Sequence, residues 1–109
     1  MKVVIIDDEP LARMELAYLI EATHLVDAIY QGESIEDAFQ LILTHQPDVL
    51  FLDIHLTDES GLDLAKRLSQ VPNAPLIIFA TAYDNHAVEA FEVNALDYVS
   101  VSYTHLRAH

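Results

Sequence analysis

Three aspartates stand at the carboxyl ends of two short apolar runs. Asp7 and Asp8 close Val3-Val4-Ile5-Ile6, and Asp53 closes Val49-Leu50-Phe51-Leu52. Each run is unbroken and rich in branched or aromatic side chains, as in parallel strands buried on both faces. In an open α/β sheet the ligand crevice lies just past the carboxyl ends of the strands. Two adjacent strands would bring all three acids into one pocket, although 45 positions separate Asp8 from Asp53. Carboxylates that close repel one another unless a cation joins them. An all-oxygen donor set suits Mg²⁺, which takes one or two carboxylates and keeps waters for a phosphate-bearing partner. The pattern points to a metal-assisted phosphate site. A single aspartate after a strand is more often a helix cap or turn residue, and here the pair plus a second strand-terminal acid weighs against that.

The elements that must position these acids alternate along the chain, apolar run with helical pattern, as in βαβ units. After a strand over 2–6, Pro10 suits a first helical position, and Ala12, Leu16, Leu19 and Ile20 share one face. Leu25 to Tyr30 reads as a second, more exposed strand interrupted by Asp27. Ser34-Ile35-Glu36-Asp37 resembles a capping box with Asp in the place of Glu or Gln. The helix that follows lines up Ile35, Ala38, Phe39 and Ile42, and Pro47 ends it. A polar turn over 57–61 leads to a short third helix, Leu62 to Leu68, with Leu62, Leu64 and Leu68 as core. Leu76 to Phe79 predicts a fourth buried strand, delivering Ala80-Thr81-Ala82 to the edge that holds the acids. A fourth helix is expected from about Asn85 to Val93, with Asn94 as a left-handed cap, and Asp97-Tyr98-Val99 begins a fifth strand.

With 109 residues, 52% of them apolar, the chain supplies one domain with one core. The absence of cysteine excludes a disulfide framework and a thiolate metal site, and fits an intracellular setting. No purely apolar run near the amino end exceeds five residues, which predicts neither signal segment nor membrane span and hence a cytoplasmic protein. Eighteen acids against five bases give a net charge of −13, which argues against direct nucleic-acid binding. Among the six histidines only His105 and His109 have the i, i+4 spacing of a helical zinc site, so all six read as surface residues.

Taken in order, several segments resemble the receiver domain of two-component response regulators. They are Val4-Ile5-Ile6-Asp7-Asp8-Glu9-Pro10, Asp48-Val49-Leu50-Phe51-Leu52-Asp53-Ile54, Gly61, Thr81-Ala82 and Ala95-Leu96-Asp97-Tyr98. The resemblance covers residues 1–99 and implies a flavodoxin-like doubly wound parallel sheet, strand order 2-1-3-4-5. Thr81 to Tyr98, with Ala82-Tyr83-Asp84 and Ala90-Phe91-Glu92, resembles receivers joined to a LytTR-type DNA-binding domain. The resemblance makes Asp53 the phosphoryl acceptor. It gives Mg²⁺ to Asp8 and Asp53 directly, to Asp7 through a water, and to the backbone carbonyl of His55. Thr81 would bond a phosphoryl oxygen, and Tyr98 would swing inward as a switch. A sensor histidine kinase would be the donor, and the chain's own output domain the recipient of the signal.

The pattern breaks after Tyr98. Val101 stands where the family has a lysine that binds the phosphoryl group, and Ser102 where it has a proline. Residues 100–109 show no helical periodicity and are too short for the family's fifth helix, so they read as an atypical tail resembling a foreign junction. A fifth helix would bury three or four large apolar side chains, about 5–10 kcal/mol in all, against a typical total stability of about 5–15 kcal/mol. The expectation is a marginal domain, or one that shields its sheet by self-association as a homodimer. Two other functions are consistent with parts of the pattern. One is a pseudo-receiver that binds partners without phosphorylation, which Val101 favours. The other is an aspartyl-nucleophile phosphatase, which needs an acid two residues after the nucleophile; after Asp53 that place is His55, and after Asp7 it is Glu9.

Overall fold

The computed structural model describes residues 1–53, 61–68, 70–80 and 92. In chain order these form β1 (Lys2–Ile6), α1 (Pro10–Glu21), β2 (Ala28–Gly32), α2 (Ile35–His45), β3 (Val49–Asp53), α3 (Gly61–Leu68) and β4 (Leu76–Ala80). The strands make one sheet in the order β2-β1-β3-β4, with every neighbouring pair parallel. Winding therefore reverses between β1 and β3, and the crevice of such a sheet opens at their carboxyl ends. The expected flavodoxin-like arrangement is present in its 2-1-3-4 part. The fifth strand, the fourth helix, Asn94 and the 100–109 tail lie outside the described residues.

A strand's side chains alternate between faces, and this period splits the core into two layers. Val3, Ile5, Val49 and Phe51 pack with Ala17 and Ile20 of α1 on one side. Val4, Ile6, Leu50 and Leu52 pack with Ala38 and Ile42 of α2 and Leu64 and Leu68 of α3 on the other. Leu64 and Leu68 anchor α3 at about 1.5–3 kcal/mol each. Lys66 and Arg67 sit in its last turn, where cations complement the helix dipole. The side chain of Leu62 lies outside the described residues.

Several boundaries and faces differ from the sequence expectation. β2 starts at Ala28 rather than Leu25. The Asp27 N–H donates to the Met1 carbonyl at 2.8 Å before the ladder begins, and Leu25 and Val26 pack partly against the α1-side core. On α1 the buried residues are Ala12, Ala17 and Ile20, with Leu16 only partly packed, because the small Ala17 takes the position facing the sheet. β4 is not buried on both faces: Leu76 and Phe79 are each 43% exposed, as befits the outermost described strand. His45 is not a plain surface residue, since its ring stacks on Tyr30 with centroids 3.7 Å apart. His24 is exposed, and the other four histidines lie outside the described residues.

The ends of α2 are built as the sequence suggests, with one variation. Ser34 Oγ accepts the Asp37 N–H at 3.1 Å. The Asp37 carboxylate reaches back to the Glu33 N–H at 3.0 Å, one residue earlier than a capping box returns. At the other end Gln46 takes the left-handed conformation, φ 49°, and donates to the Ile42 carbonyl before Pro47.

Candidate functional site

Register decides what meets at the carboxyl edge. Ile6 pairs with Leu52 and Asp53 with Ala80, so the next step of β1 brings Asp7 beside Asp53. The Asp7 N–H donates to the Gly32 carbonyl at 3.1 Å, extending the β1–β2 ladder by one residue. Both acids continue the odd-numbered series of their strands and line a pocket with Phe51, Ala80 and the α1 residues Ala12 and Leu16.

Asp7 also does the turn work that an acid after a strand commonly does. Its Oδ1 accepts the Glu9 N–H at 2.9 Å, while Glu9 itself caps α1 without a side-chain bond and Pro10 opens the helix. The Asp7 carbonyl accepts from Arg13 Nη1 at 2.6 Å. Turn-forming and clustering thus coexist in one residue, since a carboxylate has two oxygens.

One carboxylate oxygen from each of Asp7, Asp8 and Asp53 lies within 4.8 Å of the others. Asp53 is 5% exposed and Asp7 9%, whereas Asp8 lies open to solvent. Burial pushes the Asp7 carboxyl above its ordinary value; the Glu9 N–H bond opposes this, and the charges of Asp53, Asp8 and Glu9 add to it. Three hard oxygen donors within reach of one ion, two of them against apolar walls, fit a hard divalent cation that would offset their repulsion. His55, Thr81, Tyr98 and Val101 lie outside the described residues.

Two contributors escaped the sequence reading. Arg13, the one base on α1, holds the Asp7 carbonyl. Gly32, one of only two glycines in the chain, accepts the Asp7 N–H. A Cβ at Gly32 would come within 2.8 Å of Asp37 Cβ and 2.9 Å of Ile6 Cδ1. A rare glycine closing a strand was the available signal.

The profile of the response regulator receiver domain matches residues 3–105. The chain belongs to that family. It is 52% identical over 99 residues to the sensory transduction protein LytT of Enterococcus faecalis, covering 91% of this chain and 41% of that protein. LytT of Bacillus subtilis is 51% identical over 100 residues, covering 92% and 42%. The receiver thus spans about two fifths of the length of the curated relatives it matches. Among solved structures, the response regulatory domain of mrkE from Klebsiella pneumoniae aligns with a TM-score of 0.65 at 37% identity, covering 86% of this chain and 77% of that one. The MaeR response regulator bound to beryllium trifluoride aligns with a TM-score of 0.67 at 25% identity, covering 85% and 76%. The chain is therefore a LytT/LytR-like receiver of the two-component type, a family of signalling modules rather than enzymes in general. No helix among the described residues is long and apolar enough to cross a membrane.

Proposed function

We propose that this receiver accepts a phosphoryl group on Asp53 from a phosphohistidine of a sensor kinase. Mg²⁺ would be held by Asp8 and Asp53 directly, by Asp7 through a water, and by the backbone carbonyl of His55. The observation that carries this is the meeting of three carboxylate oxygens within 4.8 Å where the sheet's winding reverses. A carboxylate is a competent nucleophile for making an acyl phosphate. An Asp53 oxygen attacks phosphorus, the new O–P bond forms as the N–P bond breaks, and the electron pair leaves on the imidazole nitrogen. When bound, Mg²⁺ supplies positive charge that offsets the transferred oxygens and the three acids. Asp53, buried at the strand end, is held in place for attack, while the exposed Asp8 can meet a hydrated ion arriving from solvent.

Thr81 would hydrogen-bond a phosphoryl oxygen, and Tyr98 would turn inward in response. The signal would pass to an output domain in the remainder of a LytT-like protein, DNA-binding and cytoplasmic. Val101, in place of the family lysine, would weaken the coupling from phosphate to switch more than metal binding. Residues 100–109 are proposed as an atypical tail following a receiver over 1–99, and the receiver would associate as a homodimer. Val101 also supports a second reading, a pseudo-receiver that binds partners without phosphorylation.

Incubation with Mg²⁺ and a small phosphodonor such as acetyl phosphate separates the two. The expected result is a single acid-stable, base-labile phosphate, absent in Asp53→Asn. Label retained on that variant would move the nucleophile elsewhere, with Asp8 next in line, and no label on the parent chain would favour the pseudo-receiver. Beryllium trifluoride, which MaeR binds, serves as a non-hydrolysable probe of the same pocket.

A further inference from the structure

Arg13 stands beside a concentration of negative charge and does not pair with it. Among the described residues its side chain bonds the backbone carbonyl of Asp7, through Nη1 at 2.6 Å, and no carboxylate. A guanidinium beside a carboxylate ordinarily makes a forked pair with it. Here its described bond goes to a neutral oxygen.

That oxygen is well placed to matter. The Asp7 carbonyl and the Asp8 N–H belong to one planar peptide unit. Holding the carbonyl fixes the rotation of that plane, and with it the direction in which the Asp8 side chain leaves the backbone. The Asp7 N–H is already fixed by Gly32 at 3.1 Å and its Oδ1 by Glu9 at 2.9 Å. Asp8, by contrast, is exposed, and its side chain makes no hydrogen bond or ion pair among the described residues. The Asp7 Oδ1–Glu9 N–H turn spans the peptide that carries Asp8, and the Arg13 bond is the described side-chain bond made to that peptide's own carbonyl.

We propose that Arg13 is a positioning residue for the acid site, aiming Asp8 at the metal position by holding the Asp7 carbonyl. This rests on the Mg²⁺ assignment above. Two effects of removing Arg13 oppose each other, and their signs differ. Loss of a nearby positive charge alone would tighten Mg²⁺ binding by Coulomb's law. Loss of the restraint would loosen it, as removal of groups that orient metal ligands costs about 10–100-fold in affinity.

The test is a Mg²⁺ titration of the full 109-residue chain, followed by NMR at the Asp7, Asp8 and Gly32 amides. Arg13→Met keeps the stem and removes donor and charge; it should weaken Mg²⁺ binding by about tenfold. Arg13→Lys, which retains a donor and the charge, should recover most of the affinity. In the metal-free protein, Arg13→Met should lower the order of the Asp8 amide while leaving Ile5 and Val49 unchanged. Arg13→Gln carries the same expectations should Arg13→Met fail to fold. Unchanged or tighter binding in the neutral variants would overturn the proposal, as would an unaltered Asp8 amide. If the parent chain binds no Mg²⁺, the metal assignment fails, while the metal-free Asp8 measurement still decides the role of Arg13.

Discussion

The two edges of the sheet use aspartate in opposite ways. At the amino edge Asp27 and Asp48 stand immediately before β2 and β3, and each meets a donor. Asp27 Oδ2 accepts from the Met1 ammonium, and Asp48 Oδ2 accepts the Lys2 N–H at 2.8 Å. The Asp48 backbone joins two neighbours as well, giving its N–H to the Lys2 carbonyl and accepting the Leu76 N–H at 2.8 and 2.9 Å. At the carboxyl edge Asp7, which also accepts the Glu9 N–H, and Asp53 end β1 and β3, and with Asp8 they bring one carboxylate oxygen each within 4.8 Å of the others. A chain that needed only to terminate strands could distribute its acids as the amino edge does. Gathering them costs stability, and local costs of this kind collect at functional sites.

The largest separation between the edges should come from paired substitutions. Asp8→Asn removes one charge from the cluster and should weaken Mg²⁺ binding at least tenfold, with the metal-free thermal midpoint unchanged or raised. Asp48→Ala should leave Mg²⁺ binding intact and lower the midpoint, since it deletes a charge-assisted bond on a half-exposed group worth about 1 kcal/mol, or about 4–8 °C. Calorimetric Mg²⁺ titration and thermal unfolding measure both. A fall in Mg²⁺ affinity in Asp48→Ala, as large as in Asp8→Asn, would erase the distinction.

Next in size is Gly32→Ala, which probes how the carboxyl edge is held. The new Cβ would sit 2.8 Å from Asp37 Cβ, which is fixed to the helix backbone, and 2.9 Å from the terminal Cδ1 of Ile6, a side chain packed in the buried core. Overpacking of this kind costs about 1–3 kcal/mol. Because Gly32 also accepts the Asp7 N–H, the strain should reach the site, so that Mg²⁺ affinity falls together with stability. Loss of stability with Mg²⁺ affinity untouched would mean that β2 can shift without moving Asp7.

Much of this architecture was legible in the residues. The runs Val3–Ile6 and Val49–Leu52 state their own burial, and the acids that close them sit where strand polarity and the winding reversal place a crevice. What escaped was of two kinds. Contacts through backbone atoms, such as Arg13 to the Asp7 carbonyl and Asp7 to the Gly32 carbonyl, leave no trace in side-chain spacing. Neighbour-dependent burial also escaped: Ala17 replaces Leu16 at the sheet because helix rotation depends on what lies beneath, and Phe79 is half-exposed because of its strand's place in the sheet. The Asp27 carboxylate looked like an interruption of a strand and is instead the group just before it.

A smaller effect, with a definite sign, is expected at Asp7. Its carboxyl is raised above the ordinary value of 3.8 by burial and by its acidic neighbours. A group held higher in the folded state favours folding below its ordinary value and loses that contribution as pH rises through its folded value. Asp7→Asn keeps an oxygen to accept the Glu9 N–H and cannot ionise. In metal-free protein it should therefore raise the thermal midpoint at neutral pH and have little effect in acid. In the parent chain, Mg²⁺ binding should weaken as pH falls toward the raised value, because protons then compete for the same carboxylate. A lower midpoint for Asp7→Asn at neutral pH would mean that its charge supports the fold.

The smallest effect, opposite in sign, belongs to Asp27. The hydrogen bond from the Met1 ammonium, and then its charge, hold this carboxyl below the ordinary value. A depressed group contributes stability above its ordinary value and loses it as pH falls through its folded value. Asp27→Asn should thus lower the midpoint slightly at neutral pH, opposite in sign to Asp7→Asn, and leave it unchanged in acid. The shift should be close to the limit of detection, because the Asp27 side chain is 84% exposed and exposed pairs give up most of their attraction to water and salt. Raising the salt concentration should erase it at Asp27, while at the buried Asp7 the effect should persist. Matching pH trends at the two positions would mean that both edges of the sheet treat an aspartate alike, and the carboxyl cluster would lose its claim to be anything but a way of ending strands.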